Sequence, residues 1–473
     1  MKHLIGCCIF ACASHSLMSQ VTIQGNQPEN DHLLEFIMDD ENNTYVLGTY
    51  DQEIQLGDSL FTVFGTAEEG MFLAKYDPNG QVIWAMNGGS DREDLLFMDL
   101  TEDGDLVLAG SFYGQNKFGQ IEMTTQSGES NDNFVLVLDA NGNHKWHHHI
   151  QGPDHEHIQA VTTDESGNIY ITGFYDAPFT WNSIAFPSTE KSDLFVLAFS
   201  KNGTPLWSYF AGGSNNDWPW DITLKNDQVL IVGKSSGNFR NNDFSEQGFG
   251  NSDAFILQLN KANGSYVHHR VFGNEYSQEF RHILSDESGI YANGLYSQSL
   301  QIGNSSLESE GYNDGFVVKM DELFNPNWAI SMGGASSDEY LSNLVLHDGN
   351  ITMTGSFNRD QEFGEFTSEN QGSRDILVYS IHPESGIPVG LSSLSSTGLD
   401  RGKYVRSHDQ QLYVGGYFSG STLMTNGGLL TNLDPGKADF FVTRAAFPLA
   451  VSDQPQDKTA KWYPIPSKGK IQT

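Results

Sequence analysis

The chain has 473 residues, with 60 acidic against 25 basic side chains and a formal charge of −35. That length exceeds what a single hydrophobic core fills, so the chain is either several domains or an architecture that multiplies small cores. The charge repels phosphate backbones and anionic headgroups and so argues against nucleic acid as a partner. With 49 glycines, 12% aromatic and only 18% charged residues, the composition suits short strands and tight turns, not helical bundles or disordered tails.

At the start, Lys2 and His3 precede the apolar run Leu4 to Ala13, and all three cysteines, Cys7, Cys8 and Cys12, fall in this stretch. The pattern reads as a signal peptide over residues 1–19, with an A-x-A type site at Ala11-Cys12-Ala13 or cleavage near Ser19. The mature chain would then contain no cysteine, and disulfides are excluded by count. Leu4-Ile5-Gly6-Cys7 is similar to a lipoprotein box, but too few residues precede it to form a hydrophobic region. No other segment offers the roughly 18 consecutive apolar residues that cross a bilayer, so after export the chain is expected to be soluble or covalently attached, and it is expected to be a monomer.

From residue 20 to 449 one unit recurs. Its first marker is an apolar strand entered through an acidic or small residue: Met71-Phe72-Leu73, Asp132-Asn133-Phe134-Val135, Asp193-Leu194-Phe195-Val196, Asp253-Ala254-Phe255-Ile256, Asp314-Gly315-Phe316-Val317, Asp375-Ile376-Leu377-Val378 and Asp439-Phe440-Phe441-Val442. Successive copies lie about 61 residues apart. A second marker, Gly48, Gly110, Gly173, Gly233, Gly294, Gly355 and Gly416, keeps the same interval.

Each unit reads as four strands. In the third these are Ile158 to Thr163, Asn168 to Phe174, Leu194 to Ser200 and Pro205 to Phe210, with hairpin turns at Ser166-Gly167 and Asn202-Gly203. Such units repeated radially are propeller blades, and the span holds seven of them. Trp84, Trp146, Trp207 and Trp328 share one repeat position and read as packing residues.

Six units end in a further strand and a glycine-rich loop; the seventh stops after Phe441-Val442-Thr443-Arg444. The missing strand stands at the other end of the chain, in Val21-Thr22-Ile23-Gln24-Gly25. Pairing it with the seventh unit would close the ring and leave no open sheet edge. The expected fold is therefore all-β, a seven-bladed propeller of four-stranded blades closed by the N-terminal strand.

The unit phrases Asp164-Glu165-Ser166-Gly167-Asn168-Ile169-Tyr170-Ile171-Thr172-Gly173 and Asp193 to Asp217 resemble the bacterial propeller repeat family called SBBP. The resemblance covers nearly the whole mature chain and implies this fold and an extracellular location, but no shared catalytic residues. Residues 450–460 read as a polar linker. Residues 461–473, with Trp462-Tyr463-Pro464-Ile465-Pro466-Ser467-Lys468-Gly469-Lys470-Ile471, resemble the opening of the type IX secretion sorting domain of Bacteroidetes. Ile465 stands where that motif has Asn, and the sorting module is expected to be truncated. The resemblance implies the type IX machinery as a partner.

Function is expected on the face where the glycine-rich loops and the long segments between second and third strands emerge, for example Ala177 to Lys191. Acidic residues recur there: Asp31, Asp94, Asp154, Asp217, Glu279, Glu339 and Asp400. They read either as carboxylates that fix the blade-to-blade turns by accepting N–H bonds or as a Ca²⁺-binding ring. Trp181, Trp218 and Trp220 are candidate sugar-stacking platforms or inter-blade wedges. His144, His147, His148, His149, His155 and His157 crowd one outer strand and its loop. Strand alternation places His147 and His149 on one face, so a partial Zn²⁺ or Cu²⁺ site competes with plain surface histidines. No cofactor is required by any motif, and no nucleophile, base and orienting residue stand together. The expected function is a non-catalytic binding or adhesion scaffold for an extracellular protein or glycan. The alternative is a hydrolase acting on polysaccharide or phosphoester, with its groups among Arg281, His282, Arg406 and His408 on inner strands.

Overall fold

The computed structural model describes residues 22–25, 29–63, 69–89, 96–125, 130–187, 191–309, 313–333, 340–425 and 428–445, with residue 340 described by its backbone alone. The stretches read as signal peptide, linker and sorting motif lie outside these residues, as do Asp94 and Glu339. Seven four-stranded antiparallel sheets form the blades of the propeller. Their innermost strands are Asp31–Met38, Leu96–Leu100, Glu156–Thr163, Asp217–Lys225, Gln278–Asp286, Tyr340–His347 and Asp400–His408. The third blade continues through Ile169–Tyr175 and Asp193–Phe199 to its outer strand Pro205–Ala211, within one or two residues of the sequence reading. No helix among the described residues is long and apolar enough to cross a membrane.

The ring closes as the sequence implies. Thr22, Ile23 and Gln24 pair with Thr443, Val442 and Phe441, so the strand Thr22–Gln24 is the outer strand of the seventh blade. Ile23 is buried there beside Phe440 and Val442, in a cluster shared with Phe36, Val46 and Phe72 of the first blade.

The apolar side chains form seven clusters, each lying between two adjacent blades. Successive residues of a strand point to opposite sheet faces and therefore enter different clusters. Phe255 and Leu257 join the cluster with the third blade, whereas Ala254 and Ile256 join the cluster with the fifth. This explains why the repeat strands are apolar throughout and do not alternate: both faces are buried.

The repeated tryptophans bind one blade to the next. Trp84, Trp146, Trp207 and Trp328 donate their indole N–H to the carbonyls of Ala140, Lys201, Lys261 and Pro383 at 3.1, 2.9, 2.9 and 3.0 Å, each in the turn before the outer strand of the following blade. Each ring also lies over a glycine in that turn. At Gly203, which has φ +80°, an added Cβ would sit 2.8 Å from Trp146. Between the fourth and fifth blades the pair is replaced: His268 stacks on Phe324 at 5.2 Å, and Arg270 donates to the Phe324 carbonyl at 3.0 Å. Phe324 occupies the turn with φ +59°, a conformation ordinarily left to glycine.

The long segments between second and third strands, expected as loops, are themselves hairpins, as in Phe179–Trp181 with Ile184–Phe186 and Asn238–Arg240 with Ser245–Gln247. They reach back to the preceding blade. Lys117 and Phe118 pair with Gly89 and Gly88, Arg240 bridges Gly212, and Trp181 donates to the His149 carbonyl at 2.8 Å. Their strands of three or four residues, with exposed side chains interspersed, gave too short a period to be read from sequence.

Replacing Trp207 by Ala removes a half-buried ring and one inter-blade hydrogen bond, so a loss of about 3 kcal/mol is expected, measured by denaturant unfolding. Deleting residues 20–25 should cost more and broaden the transition, because the seventh blade then exposes an open edge.

Candidate functional site

All the inner strands except the second blade's shift register where they pass through the upper part of the central channel. The second blade's strand runs without a bulge. A bulge turns its extra residue out of the ladder and re-aims the side chain. The residues at these positions include Leu34, Gln159, Trp220, Arg281 and Lys403. They line a mouth pocket of 290 Å³ together with Phe97, His282 and Tyr404. Below it a second cavity of 350 Å³ shares Phe97, Gln159, Trp220, His282 and Tyr404 and reaches Glu35, Asp99, Asp221, Arg406 and His408. Both volumes fall at the lower end of the roughly 300–1,000 Å³ typical of ligand sites.

The lower polar groups tie neighbouring blades around the channel. Glu35 accepts from the Met98 amide at 2.8 Å and pairs with Arg406 at 2.5 Å. Asp99 accepts from the Thr163 amide at 2.7 Å, and Asp221 from that of Ile283 at 2.9 Å, with His282 at 3.6 Å. Asn343 exchanges two hydrogen bonds with the backbone of Val405. Burial pushes the Glu35 carboxyl up to about 7, although Arg406 opposes the rise. Burial likewise raises Asp99.

At the rim, Trp218, Lys234, Trp220 and Arg281 form a stack. The Lys234 ammonium lies 4.6 Å from the Trp218 ring and 5.7 Å from Trp220, and the Arg281 guanidinium lies 3.9 Å over Trp220. Glu279 joins the two cations, meeting Lys234 at 3.2 Å and accepting from Arg281 Nε at 2.6 Å. The other side of Trp218 stacks on Phe174 at 5.2 Å. Of the three candidate tryptophans, only Trp220 lines the channel. Trp181 is packed between the second and third blades, edge-on to His148 and Phe199, and is remote from the mouth in the chain's topology.

The acidic ring is shifted from the sequence reading at two positions. Register with the second strand aligns Asp31, Glu156, Asp217, Gln278 and Asp400. Asp154 is an exposed loop residue, and Glu279 faces the rim cations, one residue past the ring position. The sequence offered two acids in each neighbourhood, and only pairing distinguishes them. The ring residues are buried, each beside the entry Asp of the preceding blade's third strand: Asp31 by Asp439, Glu156 by Asp132, Asp217 by Asp193, and Asp400 by Asp375. Turn fixing by an accepted N–H holds for Asp400, which takes both the amide and hydroxyl of Ser396 at 2.5 Å. Asp31, Glu156 and Asp217 differ from it: both carboxyl oxygens of each are buried without a hydrogen-bond partner among the described residues. Gly25 closes over the first pair so tightly that a Cβ would fall 2.7 Å from Asp31 and 2.8 Å from Asp439. Burial first, then the neighbouring carboxylate, pushes Asp31 up to about 8 and Glu156 to about 9. Burial alone carries Asp193 to about 7 and, with Asp375 beside it, Asp400 to about 6.

The histidines disperse. His147 contacts His144 at 3.0 Å, His148 contacts the Gly203 carbonyl at 2.6 Å, and His149 contacts Asp132 at 2.7 Å. His155 stacks on His157 with centroids 6.2 Å apart, and burial holds His157 down at about 4. Among the described residues, no group of three or more His, Cys, Asp or Glu side chains is placed to hold a metal ion.

No protein-family model matches the chain. It is 27% identical over 177 residues to the regulatory protein FlaEY of Caulobacter vibrioides, covering 36% of this chain and 18% of that one. It is 23% identical over 194 residues to a WD repeat-containing protein of Acanthamoeba polyphaga mimivirus, covering 35% and 14%. A protein of Aquifex aeolicus is 25% identical over 244 residues, covering 50% and 57%. The chain thus spans less than two thirds of each of these relatives. Among solved structures, Drosophila Semaphorin 2a superposes with a TM-score of 0.44 at 9% identity, covering 87% of this chain and 75% of that one. The Pan2 WD40 domain of Neurospora crassa gives 0.42 at 7% identity, covering 87% and 88%. None of these likenesses assigns a function to this chain.

The pH dependence of stability follows from the buried acids. Their folded pKa values lie above those of the unfolded chain, so the native state binds more protons. Their contribution is complete below about pH 4 and is lost as pH rises through about 6, 7, 8 and 9 for Asp400, Asp193, Asp31 and Glu156. Turn residues Asp139 and Asp164, held low chiefly by bonds from Asn143 and Asn168, act in the opposite sense and lose their contribution at low pH. Melting temperature should therefore peak at mildly acidic pH and fall towards pH 9, and Glu156→Gln with Asp31→Asn should flatten the alkaline decline.

Proposed function

We propose that this protein is an exported or cell-surface binding module whose ligand enters the channel mouth on the hairpin-bearing face. The observation that carries this reading is the set of bulged residues, Leu34, Gln159, Trp220, Arg281 and Lys403, which five separate blades direct into one small cavity. Aromatic walls with a few polar groups on a rigid scaffold are what a recognition site needs. The lower carboxylates are engaged in holding neighbouring blades together, which favours binding over chemistry. The signal peptide and the resemblance of the tail to a sorting motif support export, with the type IX machinery as a transient partner. A glycan is the ligand best matched to a half-buried tryptophan with a tyrosine in the same pocket.

A hydrolase reading draws on one observation: Glu35, raised to about 7 by burial, shares the lower channel with Asp99 and Asp221. A pair of carboxyl groups flanking the scissile bond is the pattern of glycoside cleavage.

Glycan-array binding by the full mature chain tests the leading reading. Trp220→Ala should abolish the signal while leaving the melting temperature within a few degrees, whereas Trp181→Ala should lower stability and preserve binding. Release of reducing ends by the wild type, lost in Glu35→Gln, would establish the hydrolase instead.

A further inference from the structure

Buried polar groups are almost always hydrogen-bonded, and the exceptions call for a reason. Three exceptions converge in the lower cavity of the channel. Gln159, the bulged residue of the third blade, is 5% exposed and lines both cavities, and its amide has no hydrogen-bond partner among the described residues. The indole N–H of Trp220 and Nε2 of His408 line the same cavity and are likewise buried without a partner. These atoms make no bond that holds the ring together, which leaves them for an occupant of the channel.

The cavity is also negative. Its described lining carries three carboxylates, Glu35, Asp99 and Asp221, against one guanidinium, that of Arg406, which is already paired with Glu35. Asp99 accepts from the amides of Leu100 and Thr163 and from the Thr163 hydroxyl, and Asp221 from the amides of Ile222 and Ile283. These donors are uncharged, so they orient the two carboxylates without neutralising them. Among the described residues, the one ion-pair partner within 4 Å of either is His282, 3.6 Å from Asp221. An ionised carboxyl group accepts about four hydrogen bonds, so both retain capacity. Two carboxylates fixed in advance, in a chain of formal charge −35, draw a cationic group to this depth.

We infer that the channel binds an amino sugar, a hexose ring bearing a free ammonium group, presented at the end of a glycan chain. The ammonium group lies against Asp99 and Asp221 and donates to the amide oxygen of Gln159. Its hydroxyl and ring oxygens accept from the Trp220 indole and the Gln159 amide N–H, and its C–H faces pack among Phe97, Trp220 and Tyr404, which line both cavities. Cavities of 290 and 350 Å³ in series suit a chain end better than a chain threaded sideways. An acidic sugar is repelled by the same two carboxylates, and a neutral one leaves them without a counter-charge. The inference rests on the glycan-binding reading and specifies its ligand.

The test is calorimetric titration of the full mature chain with the methyl glycosides of glucosamine and galactosamine, and with their glucose, galactose and N-acetylated counterparts. The amino sugars should bind about tenfold or more tighter than either neutral set, and more weakly as salt rises. Gln159→Met, which keeps side-chain length and net charge, should weaken amino-sugar binding roughly tenfold or more. It should leave the melting temperature unchanged or raise it, because no internal hydrogen bond is lost; attraction to the acidic surface at large would leave binding intact in this variant. Asp221→Asn, which keeps an acceptor for the Ile283 amide, should remove the preference for ammonium over hydroxyl. Equal or tighter binding of the neutral sugars, or amino-sugar binding unchanged in either variant, overturns the ligand class. If that binding is still lost in Trp220→Ala, the glycan reading survives without it. No binding of any saccharide by the wild type overturns the inference together with the glycan reading.

Discussion

Each blade of this protein has two apolar faces and cannot bury either by itself. The sheets are therefore stable only between neighbours, and the first and last can be covered only if the chain closes into a ring. Three residues, Thr22, Ile23 and Gln24, supply that closure by completing the seventh sheet with a strand from the opposite end of the chain. Everything else in the structure presumes it. The core is seven inter-blade clusters with no common centre, and the axis is left as a channel lined by polar and aromatic side chains.

Once the apolar faces are paired, the blade junctions are ordered by smaller, directional contacts at three levels. On one side of the ring, tryptophan N–H groups reach the turns of the next blade. Around the axis, Glu35, Asp99, Asp221 and Asn343 hold the backbone of the next inner strand. On the hairpin face, paired acids are buried beside each other, an arrangement that is tolerable only while a proton is retained. The first level involves no titratable group and holds at any ordinary pH, whereas Glu35, raised to about 7 by burial, makes the second partly sensitive. The third makes the hairpin face, where the channel opens, the part of the ring most responsive to pH.

The bulges connect architecture to recognition. A regular strand would give each blade the same view of the axis, and the channel would be a uniform tube. An extra residue in the inner strand lets one position per blade depart from the repeat without disturbing the seam below it. Those positions carry Leu, Gln, Trp, Arg and Lys at residues 34, 159, 220, 281 and 403, no two of them alike. Repetition builds the scaffold, and its local violation builds the pocket.

The spacing of Phe-Val strands and glycines was enough to determine the number of blades, their strands and the origin of the closing strand, because every repeat obeys the same packing demand. The role of Trp84, Trp146, Trp207 and Trp328 was legible for the same reason. The site was legible only in part. Trp220 and Arg281 stood out by residue type, but their stacking depends on a bulge, and bulges leave no mark in a strand that has no visible partner. Glu156 and Gln278 could not be separated from Asp154 and Glu279 by spacing, since one residue of register decides which acid is buried. Lys403 and Glu35 gave no signal at all, being single charges about 370 residues apart in strands that become neighbours only when the ring closes. A linear pattern records what each blade shares; the channel is made of what the blades do not share, and only their arrangement about an axis brings it together.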